Sequence, residues 1–353
     1  MLTRTRYFLV ASLLVLGVGV GTGLVAYYVG FPAGAFTRGD AADELRFIPR
    51  DAAVVAYVDV QDVMASDLRQ KLHKALPGDG NGQREFQERT GINIETDIDR
   101  IVACLSPNSS MNSLPGAGLV IARGRFDEVK IEALMREHGA HVEEYSGQRL
   151  IVADRADHAD AGDHPPQTTT FALSFMEPGL TAVGSTNLVK NAIDLHRAGD
   201  NPQTGLVSVM RNEEMMQQVK ALESGNAWAV GRFDALASRA HLPQGVAERL
   251  PPITWFAVSG HVNGGLRGVI RAEARDEESA NNLRDVVRGF MALGKLQAGS
   301  NPQMQLIAQS LELGGTGKTV ALSFVVPAEV FDAVATMMPK RQPEKPQPEK
   351  PQP

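Results

Sequence analysis

The stretch from Tyr7 to Val29, YFLVASLLVLGVGVGTGLVAYYV, constrains this chain more than any other, because its 23 residues carry no charge. As a helix rising 1.5 Å per residue it would be roughly 34 Å long, against a hydrocarbon core of about 30 Å. Such a helix pairs its own backbone groups, as lipid demands. Arg4 and Arg6 precede the stretch, Tyr27 and Tyr28 lie at its end, and Asp40, Asp43 and Glu44 follow soon after Arg38. The basic residues ahead of the stretch predict a cytoplasmic N-terminus and an extracytoplasmic bulk, periplasmic in a Gram-negative cell. The expectation is therefore a single-pass protein with a signal anchor at residues 1–31 that meets the bilayer through residues 7–29. Ala33-Gly34-Ala35 also offers a small-x-small cleavage pattern, so a removed signal peptide is the alternative. Gly17 with Gly21, and Gly19 with Gly23, match the G-x-x-x-G packing pattern and suggest self-association through that face.

Beyond the stretch, 43% hydrophobic and 22% charged residues are ordinary for a globular fold. The net charge of -6, with no long basic run, excludes nucleic acid as an expected partner. Cys104 is the only cysteine, which rules out an intramolecular disulfide and a thiolate-rich zinc site.

Hydrophobic periodicity then sets out the elements. A linker over 32–44 leads to a strand at 53–60, a helix at 63–76, a short helix around Phe86, and strands at 101–105 and 117–122. A helix from Asp127 to His138 precedes a hairpin, 142–145 with 149–153. Strands at 169–176 and 180–184 and helices at 187–197 and 212–222 follow. The pattern then restarts at 227–233 with strands at 253–262 and 266–274, a helix at 277–296, a hairpin at 310–325 and a helix at 328–338. The element order predicts an α+β fold of two tandem, mostly antiparallel sheet/helix units, 45–200 and 205–338. The tail, 339–353, repeats Pro-Glu-Lys-Pro-Gln and is predicted to be disordered and extended.

Motifs that could carry chemistry are sparse. Gly314-Gly315-Thr316-Gly317-Lys318-Thr319 ends like a phosphate-binding loop. Glu312 stands where that motif needs its first glycine, however, and a strand follows where it needs a helix. Asp154, Asp157, His158, Asp160, Asp163 and His164 crowd one loop without the frame of a calcium site. There is no G-x-S-x-G, and Ser174 and Ser185 lack a neighbouring base. His138, His141, His196, His241 and His261 are scattered, and Cys104 sits in an apolar strand. Met176, Met210, Met215 and Met216 form a methionine-rich group suited to core filling or to adaptable contact. No catalytic, cofactor-binding or metal residues are therefore assigned.

The stretch from Arg46 to Val60, with a proline, an aspartate-alanine pair and an aromatic strand, resembles the opening of bacterial membrane-anchored families classed as domains of unknown function. The turn Thr90-Gly91-Ile92-Asn93-Ile94-Glu95-Thr96-Asp97-Ile98 is similar to their second marker. The resemblance implies an exported two-repeat fold and brings no site residues. The functional expectation is a non-enzymatic envelope protein that binds a protein, a peptide or an amphipathic ligand. A hydrolase with a spatially assembled site is the alternative, and a structural spacer ranks below it.

Overall fold

A computed structural model describes residues 40–69, 81–107, 118–155, 169–222, 225–234, 251–299 and 302–329. Its strands are β1 (Val54–Asp59), β2 (Ile98–Leu105), β3 (Gly118–Gly124), β4 (His141–Tyr145), β5 (Gln148–Arg155) and β6 (Thr169–Glu177). They continue as β7 (Leu180–Ser185), β8 (Ala227–Arg232), β9 (Ile253–Val262), β10 (Gly265–Ala274), β11 (Glu312–Gly314) and β12 (Thr319–Pro327). All twelve form one sheet, ordered β11-β12-β10-β9-β8-β1-β2-β3-β7-β6-β5-β4, and every pairing is antiparallel. The central strands, Val-Val-Ala-Tyr-Val-Asp and Ala-Trp-Ala-Val-Gly-Arg, are nearly continuous apolar runs because much of each is covered on both faces.

The centre of the sheet is the β1–β8 seam, with Ala56 paired to Ala229. Outward from it the two halves run alike: first, second, third and last strand, then the one before last. At the seam Tyr57 and Trp228 stack with centroids 6.0 Å apart. Gly231 lies where close approach leaves no room for a side chain. An added Cβ would sit 2.7 Å from Val54 Cγ2 and 2.9 Å from Phe256 Cε1.

The helices are α1 (Asp40–Leu45), α2 (Val60–Ala65), α3 (Asn81–Thr90), α4 (Ile94–Asp97), α5 (Glu128–Glu137), α6 (Thr186–Ala198), α7 (Glu213–Lys220), α8 (Glu277–Ala298) and α9 (Pro302–Ser310). Their starts follow the sequence: Asp59, Asp127, Asn212 and Asp276 each accept a hydrogen bond from the backbone N–H three residues on. One face of the sheet carries the main core. There Leu45, Phe47 and Ile48, α6 and α7 cover Tyr57, Val102, Leu119, Ile121, Trp228 and Val230. On the opposite face α2 packs against Val58, Ile101 and Val120, and α5 against Ile151 and Leu173. On that same face α8 packs against Ala274 and Val320.

Three expectations need correction. The two units do not form separate sheets; the pairing of β1 with β8 makes one continuous sheet. Two short sheets would each leave an apolar first strand at an edge, and pairing those edges satisfies both backbones and buries Tyr57 and Trp228. The single-pass membrane placement, with its signal anchor and extracytoplasmic bulk, has no helix behind it in this structure: none among the described residues is long and apolar enough to cross a membrane. Residues 7–29, with the Gly17/Gly21 and Gly19/Gly23 face, lie outside the described residues, as do the tail 339–353 and the predicted helix beyond 329. Finally, the linker expected over 32–44 runs into α1, whose Glu44 is fully buried.

Candidate functional site

Several of the sequence's chemical candidates lie among the described residues and take structural positions there. Cys104 is buried in β2, and burial pushes its thiol up to about 12, far from a reactive thiolate. Gly315 and Gly317, both at positive φ, form the turn between β11 and β12, so backbone amides do not converge on a phosphate there. Asp154 ends in β5, whereas Asp157, His158, Asp160, Asp163 and His164 lie outside the described residues, as does His241. Ser174 is buried and donates to Arg149 O at 2.9 Å, and Ser185 precedes α6 without a side-chain capping bond. His138 Nδ1 meets Leu134 O, and His141 Nε2 meets Glu143. Met176 and Met215 are core residues, while Met210 is exposed. Among the described residues no group of three or more His, Cys, Asp or Glu side chains is placed to hold a metal ion.

What the sequence did not single out is a transverse polar row on the main-core face. At one end of the strands Arg123 pairs with Arg100, Arg100 with Asp59, and His261 with Arg267. Between them, Asn226 accepts from the Asp59 N–H at 2.7 Å just ahead of β8. Parity puts these positions on the same side as Tyr57, Val102, Ile121 and Trp228, one pleat further along.

In the first half the row is closed by ion pairs. Glu44 Oε1 receives Arg123 Nε at 2.5 Å and Arg100 Nε at 3.2 Å. Arg123 also reaches Glu177 at 3.3 Å, and Glu177 lies 3.4 Å from His196 Nε2. Burial raises the Glu177 pKa, but the contacts with His196 and Arg123 together outweigh it and hold the carboxyl below its ordinary 4.5. His196 in turn packs on Phe47, ring centroids 5.3 Å apart. These bonds pin residues 44–53 across the sheet, and Val209 N–H to Ile48 O at 2.7 Å and Arg50 N–H to Val207 O at 2.9 Å hold the other side.

In the second half the row has no ion pair comparable to those of Glu44, and, like Glu44 Oε2 in the first half, it leaves buried atoms without a partner among the described residues. Asn226, 1% exposed, donates to Asp62 Oδ2 at 2.8 Å, yet its Oδ1 has no partner among the described residues, nor does His261 Nδ1. Burial, with the Arg267 charge second, pushes the His261 pKa down to about 4, so the ring is neutral at pH 7.

Among the described residues, four of the exposed large apolar side chains lie on α8 and α9. Ala280, Leu283 and Val287, in the N-terminal half of the 22-residue α8, pack with the core. Further along, Phe290 (61% exposed), Leu293, Leu296 (78%) and, on α9, Leu306 form a ridge facing solvent. Phe290, three residues past Val287 and seven past Leu283, continues the core-facing stripe, and Leu293 and Leu296, each three residues further on, carry it round the helix away from the sheet. That continuation was readable in residues 277–296. α9 was hidden by the break at Gly299, although Pro302 at its first position is a helix-start signal.

One depression among the described residues is shallow and apolar, about 270 Å³ of space partly open to solvent, lined by Val54, Ala56, Ala103, Leu105, Gly118 and Val120 among others. It brings no acid, base or nucleophilic side chain together beyond the buried Cys104. No known protein family, curated protein or solved structure matches this chain, so none of these comparisons bears on the resemblance carried by residues 46–60 and 90–98.

Proposed function

We propose that this chain is a non-enzymatic binding protein whose partner is another protein, held through the α8–α9 ridge. The observation that carries the reading is the ridge: three large apolar side chains on one helix and one on its neighbour, all about half or more exposed. Single exposed apolar residues are ordinary, but contiguous ones mark contact surfaces. Supporting it, the ion pairs and hydrogen bonds of the polar row hold chain segments to the sheet and to each other. That makes a rigid platform of the kind that favours protein association at low conformational cost.

The test is site-specific photo-crosslinking in the cells that make the protein. A benzophenone side chain at position 293 on the ridge is compared with one at position 129 on α5, where Val129 is 82% exposed but isolated. The expected result is one discrete protein adduct from position 293, none from position 129, and loss of that adduct in Phe290→Glu at unchanged melting temperature. The same adducts from both positions, or an adduct that survives Phe290→Glu, would remove the ridge from the binding reading.

A further inference from the structure

We infer that the outer edge of β4 is a docking edge for an extended basic segment of a partner protein, which adds to the sheet as one more strand. The inference concerns a different surface from the α8–α9 ridge and stands apart from it. The end strand of a sheet offers a row of backbone groups to another chain, and natural proteins usually cover or blunt such rows. The two ends of this sheet differ in that respect.

At the β11 end the row is short, and the part of β12 that β11 leaves unpaired is partly capped. β11 has three residues and pairs only with Ala321, Leu322 and Ser323 of β12. Beyond it Ser310 substitutes for a strand: its Oγ donates to Val325 O at 2.8 Å and accepts from Val325 N–H at 3.0 Å. The helix that supplies it, α9, packs along β12.

At the β4 end nothing comparable is present among the described residues. β4 pairs with β5 over all five residues, His141↔Val152 to Tyr145↔Gln148, without a bulge, and is the last strand in the order. It contains no proline. Glu143 and Glu144 are consecutive, so they project to opposite faces and put a carboxylate on each side of the edge. Arg149, opposite Glu144, is bonded to Glu132 at 2.6 Å rather than to Glu144. Glu143 meets His141 at 3.1 Å and, at 3.8 Å, Lys190, which also lies over the Tyr145 ring. Among the described residues Glu144 is therefore the carboxylate left for an incoming cation, and Glu143 would have to share its contacts. A second copy pairing antiparallel about residue 143 would set Glu143 against Glu143, which is repulsive. Charge complementarity instead selects a strand with two adjacent basic residues opposite Glu143 and Glu144, joined by main-chain hydrogen bonds.

The experiment uses the full chain and two peptides, Thr-Val-Lys-Lys-Val-Thr and Thr-Val-Glu-Glu-Val-Thr, read by hydrogen exchange and fluorescence anisotropy. The basic peptide is expected to slow exchange across residues 141–145. It is expected to bind about tenfold more tightly than the acidic one, from two favourable cross-strand charge pairs in place of two unfavourable ones. Added salt should shrink the preference, and the E143K/E144K double variant should reverse it. Phe290→Glu should leave it unchanged, which separates this edge from the ridge. Absent protection of 141–145, equal affinity for the two peptides, or an unreversed preference in a double variant of normal melting temperature would overturn the inference.

Discussion

Between their third strand and the strand that completes their sheet, the two halves of the molecule insert different structures. The first half places α5 and the β4–β5 hairpin there; the second places α8 and α9. The hairpin extends the sheet and buries Leu150, Ile151 and Val152 almost completely, but it ends the sheet in an unpaired edge. The helical pair caps the part of β12 beyond the short β11 through Ser310 and leaves Phe290, Leu293, Leu296 and Leu306 in water. The same topological slot can thus serve the core or the surface, and each choice exposes something: backbone in one half, apolar side chains in the other.

The largest effect should come from breaking this contrast by truncation. Leu150→Ala is expected to cost about 2–5 kcal/mol, because a fully buried side chain leaves a cavity. Leu293→Ala should change stability by no more than about 0.5 kcal/mol. Urea melts of both variants check this; equal losses would mean that α8 is as deeply packed as β5. A smaller effect sharpens the comparison of edges. Ser310→Ala removes both hydrogen bonds to Val325 at a partly exposed site and should cost about 1 kcal/mol, with faster exchange of the Val325 amide.

A third, pH-dependent effect concerns the polar row, where the halves should respond to acid in different windows. The His261 pKa is depressed to about 4 from 6.5, so the unfolded chain binds its proton first. The resulting slope makes stability fall as pH drops from about 6.5 towards 4. Glu177 is depressed below 4.5, so its contribution is present above that value and is lost only as pH falls further. His261→Leu should flatten melting temperature against pH between 6.5 and 4 and leave the more acidic loss in place. An unchanged slope in that window would show that His261 is not its source.

Much of the local structure was legible because each element carries its own signal. The hairpin at 142–153 alternates about Ser146-Gly147, with both turn residues at positive φ. The helix from Asp127 has its cap and its glycine stop, and Glu277 onward has acidic residues in its first turn. Elsewhere the signals were too short. Ile92 to Asp99 holds the four-residue α4 followed by the start of β2, too brief for either period to show. Glu44 read as linker because a charged residue beside glycines and aspartates gives no hint of Arg100 and Arg123, which are far along the chain. The candidate ridge was half legible, as apolar residues in excess of one helical face. The open edge at β4 was not, because strand order is a property of the whole sheet.

By itself, then, the sequence marked most of the strands and the longer helices, pointed to mostly antiparallel pairing, and placed Cys104 in an apolar strand and the glycines at 314–317 in a hairpin turn. Periodicity, caps and turns are local, and folding does not need to bring distant residues together to express them. Only the tertiary structure decided that Ala56 meets Ala229, that one sheet replaces two, that Glu44 is buried between arginines, and where along α8 the apolar residues leave the sheet for water. Those outcomes depend on which unpaired edges and uncovered faces find each other. That is a competition among surfaces distant in the chain, and no single window of sequence records its result.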